Sequence, residues 1–249
     1  MAENFTLPTE TIELPSKGLV YSKENPLSSG KIEMKYMTAR EEDILTNINY
    51  LKQGIAIEKV LKSLIKSPIN YDDLAIGDRN GLLIAARILA YGSSYSFEYA
   101  EDEDSKQVIT VDLQDLKNKV VDESLYKNAN EFALELPHSK NVITFKLLTV
   151  ADEKKIEQEI KSIKKANLAA GEVTTRLKQQ ILSVNGEKTY KAINDFVDNY
   201  LLAKDSSALR AYIQKVTPDI DLTVNFTLTS GKEVTADLPL TAEFFFPRA

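Results

Sequence analysis

The chain has 249 residues, of which 43% are hydrophobic and 27% charged, as in an ordinary globular protein with a core of its own. Its net charge of −6 argues against a nucleic-acid binder that depends on a basic field, and no apolar run approaches the ~20 residues that span a bilayer. The absence of Cys excludes disulfides and thiolate zinc sites, and a single His cannot form a histidine cluster for a metal.

The first residues, MAENFTLPTETIELP, lack the charged-then-apolar pattern of a signal peptide, so we expect a soluble protein of the cytoplasm. The segment is irregular up to about residue 37. A helix is then predicted over TAREEDILTNINYLKQG, because Thr38 and Glu41 have the spacing of a capping box and Gly54 is a typical helix end.

Two further helices are predicted before residue 92. The first covers roughly residues 57–66 and ends before Pro68. The second opens at Asp78, which we interpret as its cap, and runs through RNGLLIAARILAYG. Apolar residues cover most of its circumference, which indicates a central helix. No phosphate-binding glycine pattern surrounds Gly81.

Residues 95–113, YSFEYAEDEDSKQVITVDL, predict a β-hairpin, since two stretches of alternating apolar residues flank a polar turn. The turn carries four consecutive carboxylates, here named the acidic tip: Glu101, Asp102, Glu103 and Asp104. A calcium loop needs carboxylates at alternate positions and a glycine at the sixth position, where this chain has Gln107. We therefore interpret the acidic tip as a solvated or partner-facing turn, without a metal.

A second hairpin is predicted over residues 132–147, with LPHSKN at its turn. The turn contains His138, through which any Ser-His-Asp triad would have to work. A lone histidine in a turn, outside any motif, is interpreted as a solvated turn residue.

Four helices are predicted after this hairpin. VADEKKIEQEIKSIKK has a narrow apolar seam; Gly171 then interrupts, and VTTRLKQQILSV resumes helical spacing from Val173 to Val184. We expect these two to form a helical hairpin that projects from the body. The other two cover residues 189–202 and about 205–216.

The clearest alternation in the chain runs over residues 220–228 and 234–240, and TSGK supplies the turn of a third hairpin. The chain then continues with Phe244, Phe245 and Phe246. Three successive rings cannot all face one side of a strand, and exposing them is unfavourable. Two interpretations stay open: the rings fold back over the core of the last hairpin, or at least one docks into another subunit.

Together these elements predict an α+β fold in which helical segments are combined with three antiparallel β-hairpins, with two distantly similar halves as a hypothesis. The predicted division has an N-terminal helical region with two β-hairpins at residues 1–148. A C-terminal helical region at residues 149–249 ends in a hairpin and the Phe-rich tail. No catalytic, cofactor-binding or metal-binding residue is predicted.

Four stretches occur in a fixed order: LPSKGLVYSKENPLSSGKIEMKYMTAREEDIL, IGDRNGLLIAARILAYG, LRAYIQKVTPDIDLTVNF and LPLTAEFFFP. In this order they resemble the baseplate hub proteins of T-even-type tailed bacteriophages, a family with a hub subunit and a related hub assembly catalyst. The resemblance covers most of the chain, although none of its motifs is chemical.

The resemblance implies a non-enzymatic phage tail protein that acts in baseplate hub assembly, either as a hub subunit or as a transient assembly factor. Its implied partners are other hub or tail proteins, with a homo-oligomer left open, and no nucleic acid, membrane insertion or cofactor is expected. The implied location is the host cytoplasm during assembly, with the virion baseplate as the alternative. The predicted contact regions are the acidic tip, the helices around residues 153–165, and Phe244, Phe245 and Phe246.

The alternative is a carboxylate-dependent cell-wall hydrolase associated with the hub, because two carboxylates at a fixed separation suffice for glycoside hydrolysis. The candidate acids are Asp72, Asp73, Asp78, Asp219 and Asp221, together with the acidic tip. The absence of Trp argues against this function, since indole platforms commonly hold sugars.

Overall fold

The computed structural model of the chain describes residues 7–100, 106–166, 171–238, 240 and 242–245. Within these ranges the helices are α1 (Ala39–Thr46), α2 (Ile48–Gln53), α3 (Ala56–Leu64), α4 (Ile76–Tyr91), α5 (Val150–Lys165), α6 (Glu172–Gln180), α7 (Tyr190–Asp195) and α8 (Ala203–Val216). The strands are β1 (Thr9–Glu13), β2 (Lys31–Lys35), β3 (Ser94–Ala100), β4 (Lys106–Asp112), β5 (Lys117–Asn118), β6 (Phe132–Glu135), β7 (Val142–Phe145), β8 (Ile181–Val184), β9 (Ile220–Asp221), β10 (Thr223–Thr227) and β11 (Glu233–Asp237). The predicted α+β class is confirmed.

The strands form several small antiparallel sheets. β1 pairs with β2, β3 with β4, β5 with β9 and β10 with β11, while β6, β7 and β8 form a three-stranded sheet in that order. The three predicted hairpins correspond to β3–β4, β6–β7 and β10–β11. In β3 the alternation buries Tyr95 and Phe97 on one face, as a period of two residues requires.

Asn47 divides the single helix predicted between Thr38 and Gly54 into α1 and α2. Its backbone is extended, with ψ at 110°, and its side-chain oxygen accepts hydrogen bonds from the backbone N–H groups of Asn49 and Tyr50. A side chain that caps α2 in this way competes with helical continuation. Gly54 ends α2 in the left-handed conformation, as predicted.

The N-terminus of α1 has the predicted pairing of Thr38 with Glu41. The Glu41 carboxylate is buried and accepts hydrogen bonds from the Thr38 N–H and hydroxyl groups, at 2.9 and 2.7 Å. It also receives Lys35 Nζ at 2.8 Å and the Ser63 hydroxyl at 3.0 Å. Burial opposes ionisation, but these donors outweigh it and lower the pKa of Glu41 to about 2.

The stretch VTTRLKQQILSV is not one helix. α6 ends at Gln180, and the four residues that follow form β8, which pairs with β7 between Ile143 and Val184 and between Phe145 and Ile181. The prediction of a helix up to Val184 was therefore wrong. Ile181 and Val184 have the spacing of a helix face, but they are buried as part of a strand. The helix predicted at residues 189–202 is α7 followed by a π-helical segment, Phe196–Tyr200.

Two hydrophobic clusters hold these elements together. The first is centred on α4 and includes Leu82, Phe97 and Phe244. The second surrounds the three-stranded sheet and includes Phe145 and Leu209. Each cluster contains residues from both sides of position 148. The division of the chain into two regions at that position stays a prediction. Every helix in the described ranges is too short or too polar to cross a lipid bilayer.

Candidate functional site

The acidic tip lies outside the described residues, and only the strands on either side of it are seen. On β3, Phe97 packs edge-on against Phe226 of β10, with ring centroids 5.8 Å apart. Next to the tip, Gln107 Oε1 accepts a hydrogen bond from the Thr229 backbone N–H at 2.9 Å. The β3–β4 and β10–β11 hairpins are therefore packed against each other. The partner-binding role of residues 101–104 stays a prediction.

The Phe tail is described only in part, since Phe246 lies outside the described residues. Phe244 and Phe245 are 0% and 1% exposed, and the Phe244 ring contacts Tyr95 with centroids 4.9 Å apart. Arg87 Nε donates to the Phe244 carbonyl oxygen at 3.1 Å, which ties the tail to α4. Both rings thus lie against the core of their own chain. For Phe246 the docking hypothesis stays a prediction.

Asp78 lies at the centre of a buried polar group. Its carboxylate accepts hydrogen bonds from the Ser16 N–H and hydroxyl, at 2.8 and 2.7 Å, and from the Tyr21 hydroxyl at 2.5 Å. The Tyr21 hydroxyl in turn accepts from the Ala75 backbone N–H. Asp78 does not cap α4 as predicted, because Ala75 occupies the cap position and the carboxylate holds the loop at residues 14–21. Burial raises the pKa of Asp78 despite these donors.

The sequence stretches that carry the resemblance meet around α4. A Cβ on Gly77 would lie 1.9 Å from the Pro218 carbonyl oxygen, so the third stretch touches the helix backbone itself. A Cβ on Gly81 would lie 2.7 Å from the ring of Pro15, which belongs to the first stretch. The terminal stretch contacts α4 through the hydrogen bond from Arg87 to the Phe244 carbonyl oxygen. Both glycines in IGDRNGLL therefore allow close packing of another segment against α4.

His138 lies in the exposed turn between β6 and β7. The described contacts are made by the backbone: the N–H groups of His138 and Ser139 both donate to the Asp205 carboxylate at 2.9 Å. Burial raises the pKa of Asp205, but these donors outweigh it and the net shift is downward. The turn is thereby fastened to the first turn of α8.

The carboxylates of the hydrolase hypothesis have structural partners. Asp72 is bound by Lys154 Nζ at 2.7 Å, and Asp219 accepts from Asn80 Nδ2 at 3.1 Å. Asp221 accepts a hydrogen bond from the backbone N–H two residues later. In the part of the chain that is described, no three acidic or histidine side chains come close enough together to hold a metal.

A cleft of about 530 Å³ is lined by residues of α3, α4, α5 and the loop after α2, and we name it the Arg79 cleft. Its walls include the apolar side chains of Ile55, Leu83 and Val150. Three cations and three carboxylates also line it: Arg79, Lys154, Lys161, Glu58, Glu153 and Glu157. The formal charges of this set cancel.

Sequence patterns did not identify Ser16, Tyr21 or Arg79. The first two lie in LPSKGLVY, and the resemblance of that stretch was the only signal for them. Arg79 was included in the α4 pattern as one more helical residue, because its surroundings come from α3, α4 and α5 together.

One family model, described as T4 bacteriophage base plate protein, matches residues 11–246 of the chain. Comparison with curated proteins and with solved structures gives no match. The matched range begins shortly before the loop at residues 14–21 and ends at the last of the three successive Phe residues.

Proposed function

The chain belongs to the T4 bacteriophage base plate protein family, and from this membership we propose that it acts in assembly of the central baseplate hub through contacts with other tail proteins. The observation that carries the proposal is the extent of the family match, which includes nearly the whole chain. The meeting of the resembling stretches around α4 adds support, because a shared sequence pattern that builds one core indicates a shared fold.

Several exposed apolar side chains support a role in protein contacts. α2 has no buried residue, and it exposes Ile48 and Leu51 to solvent. Three more exposed side chains flank α7 and the π-helical segment: Tyr190 at the start, and Tyr200 and Leu202 at the end. Tyrosine is enriched in protein interfaces. In an assembly protein such side chains favour association, because their apolar surface leaves water when it is buried against a partner.

The protein either remains in the baseplate as a subunit or leaves after the hub has formed. Quantitative mass spectrometry of purified mature virions, measured against the major tail proteins, separates these two roles. A few copies per particle would identify a hub subunit. Absence from virions, with abundant protein in infected cells, would identify a transient assembly factor. Absence of any defect in tail assembly when its gene is deleted would contradict both.

The hydrolase alternative receives no support from the geometry, since the described carboxylates named for it are engaged with other groups. Purified protein is expected to leave peptidoglycan intact in a turbidity assay at several pH values. A rate of clearing that falls when Asp72 or Asp219 is replaced by Asn would contradict the non-enzymatic proposal.

A further inference from the structure

Arg79 differs from the other charged residues of the Arg79 cleft because the described residues offer it no counter-ion. Its Nε is buried and has no hydrogen-bond partner. The guanidinium makes one contact at the limit of hydrogen bonding, from Nη2 to Asn80 Oδ1 at 3.5 Å.

The remaining charges of the cleft are already paired. Lys154 Nζ lies 2.7 Å from both Glu58 and Asp72. Glu153 and Arg176 form a two-pronged ion pair at 2.6 and 3.0 Å. Lys161 pairs with Glu157 at 3.5 Å. Arg79 is thus the cation with unused hydrogen-bonding capacity within the described part of the cleft.

The position of Arg79 is unfavourable for a cation without a ligand. It is the fourth residue of α4, close to the helix N-terminus, where the aligned peptide dipoles favour negative charge. A buried donor without an acceptor adds a desolvation cost. A bound anion would offset the first effect, because it would lie near the positive end of α4 and accept from the terminal nitrogens of the guanidinium.

We propose that the Arg79 cleft binds a carboxylate side chain of a partner protein, with an apolar side chain of the same segment against the neighbouring wall. The planar guanidinium matches a carboxylate in two-pronged geometry. Leu83 and Val150, which are almost fully buried, supply the apolar wall. The volume of about 530 Å³ is sufficient for one or two side chains.

A carboxylate fits the cleft better than a phosphate group. Glu58, Glu153 and Glu157 line the same cleft, and their repulsion of an anion grows with its charge. A single negative charge therefore suits the site better than the nearly double charge of a phosphate. The inference rests on the proposed function, because the ligand is taken to be part of a baseplate protein.

The test compares the tagged wild-type chain with Arg79→Met, which keeps the aliphatic stem and removes the charged fork. Arg210→Met is the matched control, because Arg210 is exposed on α8. Each protein is produced in cells infected with the phage, and captured baseplate proteins are quantified by mass spectrometry. Arg79→Met is expected to lower capture roughly tenfold or more, as for a buried charge pair at an interface, whereas Arg210→Met leaves it unchanged.

Thermal unfolding of the isolated chain separates binding from stability. Because the described residues give Arg79 no counter-ion to lose, Arg79→Met is expected to keep or raise the unfolding midpoint. A clear drop in the midpoint, or failure of both Arg79→Met and Arg79→Gln to fold, would show that Arg79 is structural and would overturn the inference. Normal capture by Arg79→Met would overturn it while leaving the proposed function intact. If the wild type captures no baseplate protein, the proposed function fails, and the inference that rests on it fails too.

A chemical cross-link identifies the group that is bound. In Arg79→Lys, the new amine lies in the cleft, and a carbodiimide joins it to a carboxylate in direct contact. Mass spectrometry of the captured complex is expected to show an amide to an Asp or Glu of a baseplate protein, absent from the Arg210→Lys control. A cross-link only to acidic residues of this chain would overturn the inference.

Discussion

Gly77→Ala tests whether the meeting of the family stretches at α4 depends on the absence of a side chain. Gly77 is the second residue of α4, and a Cβ there would lie 1.9 Å from the Pro218 carbonyl oxygen and 2.9 Å from the Asp219 Cα. Both obstructing atoms belong to the backbone, so rotation of a side chain cannot relieve the overlap. α4 would have to separate from residues 217–219.

The expected cost follows from this overlap. Ordinary van der Waals contact begins at 3.4 Å, so the two backbones must move apart by about 1.5 Å. Overpacking of this kind costs ~1–3 kcal/mol or more, and loss of the hydrogen bond between Asn80 and Asp219 adds ~1 kcal/mol. The gain in helix propensity from Gly to Ala is at most ~1 kcal/mol. We expect a net loss of about 1–3 kcal/mol in the free energy of unfolding, or roughly 2–12 °C in the midpoint for a chain of this size.

Urea and thermal unfolding of the purified variant, followed by circular dichroism, measure this loss. Gly171→Ala is the matched control, because Gly171 has an ordinary φ of −81° and the obstructing atom is the hydroxyl of the half-buried Thr174 side chain, not backbone. Because that hydroxyl can rotate away at the loss of its hydrogen bond to the Gly171 carbonyl oxygen, the control is expected to stay within about 1 kcal/mol of the wild type. Helix propensity alone predicts that Gly77→Ala is stabilising. A variant as stable as the wild type, or more stable, would therefore refute the close approach of Pro218 to α4.

Three further changes test other parts of the structure. Glu41→Gln is expected to lower stability by about 2–3 kcal/mol at pH 7. The pKa of Glu41 is lowered to about 2 from an ordinary 4.5, so its contribution is complete above about pH 5 and disappears as the pH falls towards 2. Measured by urea unfolding across this pH range, the free energy of unfolding should depend less on pH in the variant than in the wild type. An equal dependence on pH in the two proteins would contradict the role of Glu41. Phe244→Ala should cost ~3–5 kcal/mol in thermal unfolding, because the ring is 0% exposed, whereas unchanged stability would indicate that it does not pack in the core. Tyr21→Phe should cost ~1–3 kcal/mol, since it leaves the Ala75 N–H and the Asp78 carboxylate short of a partner, and a neutral result would contradict the hydrogen bonds through the Tyr21 hydroxyl.

Predictions from local pattern were confirmed where neighbours in sequence are also neighbours in space. The β3–β4 hairpin aligns Tyr95 with Val111 and Phe97 with Ile109, as the two alternating stretches indicated. Thr38 and Glu41 pair within one helical turn, as their spacing indicated. In these elements the deciding contacts lie between residues close along the chain, so periodicity and cap residues are sufficient evidence.

Predictions failed where a distant segment decides the local conformation. Ile181 and Val184 have helical spacing, but they form a strand because β7, about 40 residues earlier in the chain, offers its backbone for pairing. Asp78 has the position and residue type of a helix cap. It instead binds Ser16 and Tyr21, about 60 residues away, because the loop that contains them is folded onto α4.

The sequence by itself determined the α+β class, the three hairpins, most helix positions and, through four ordered stretches, the baseplate family. These features depend on local spacing and on residue order, which are present in the chain before it folds. Only the tertiary structure decided that Gly77 must lack a side chain, that Phe244 is buried, and that Arg79 lies in a cleft where the described residues offer it no counter-ion. Each of these depends on which distant atoms surround the residue, and packing between separate segments fixes those surroundings.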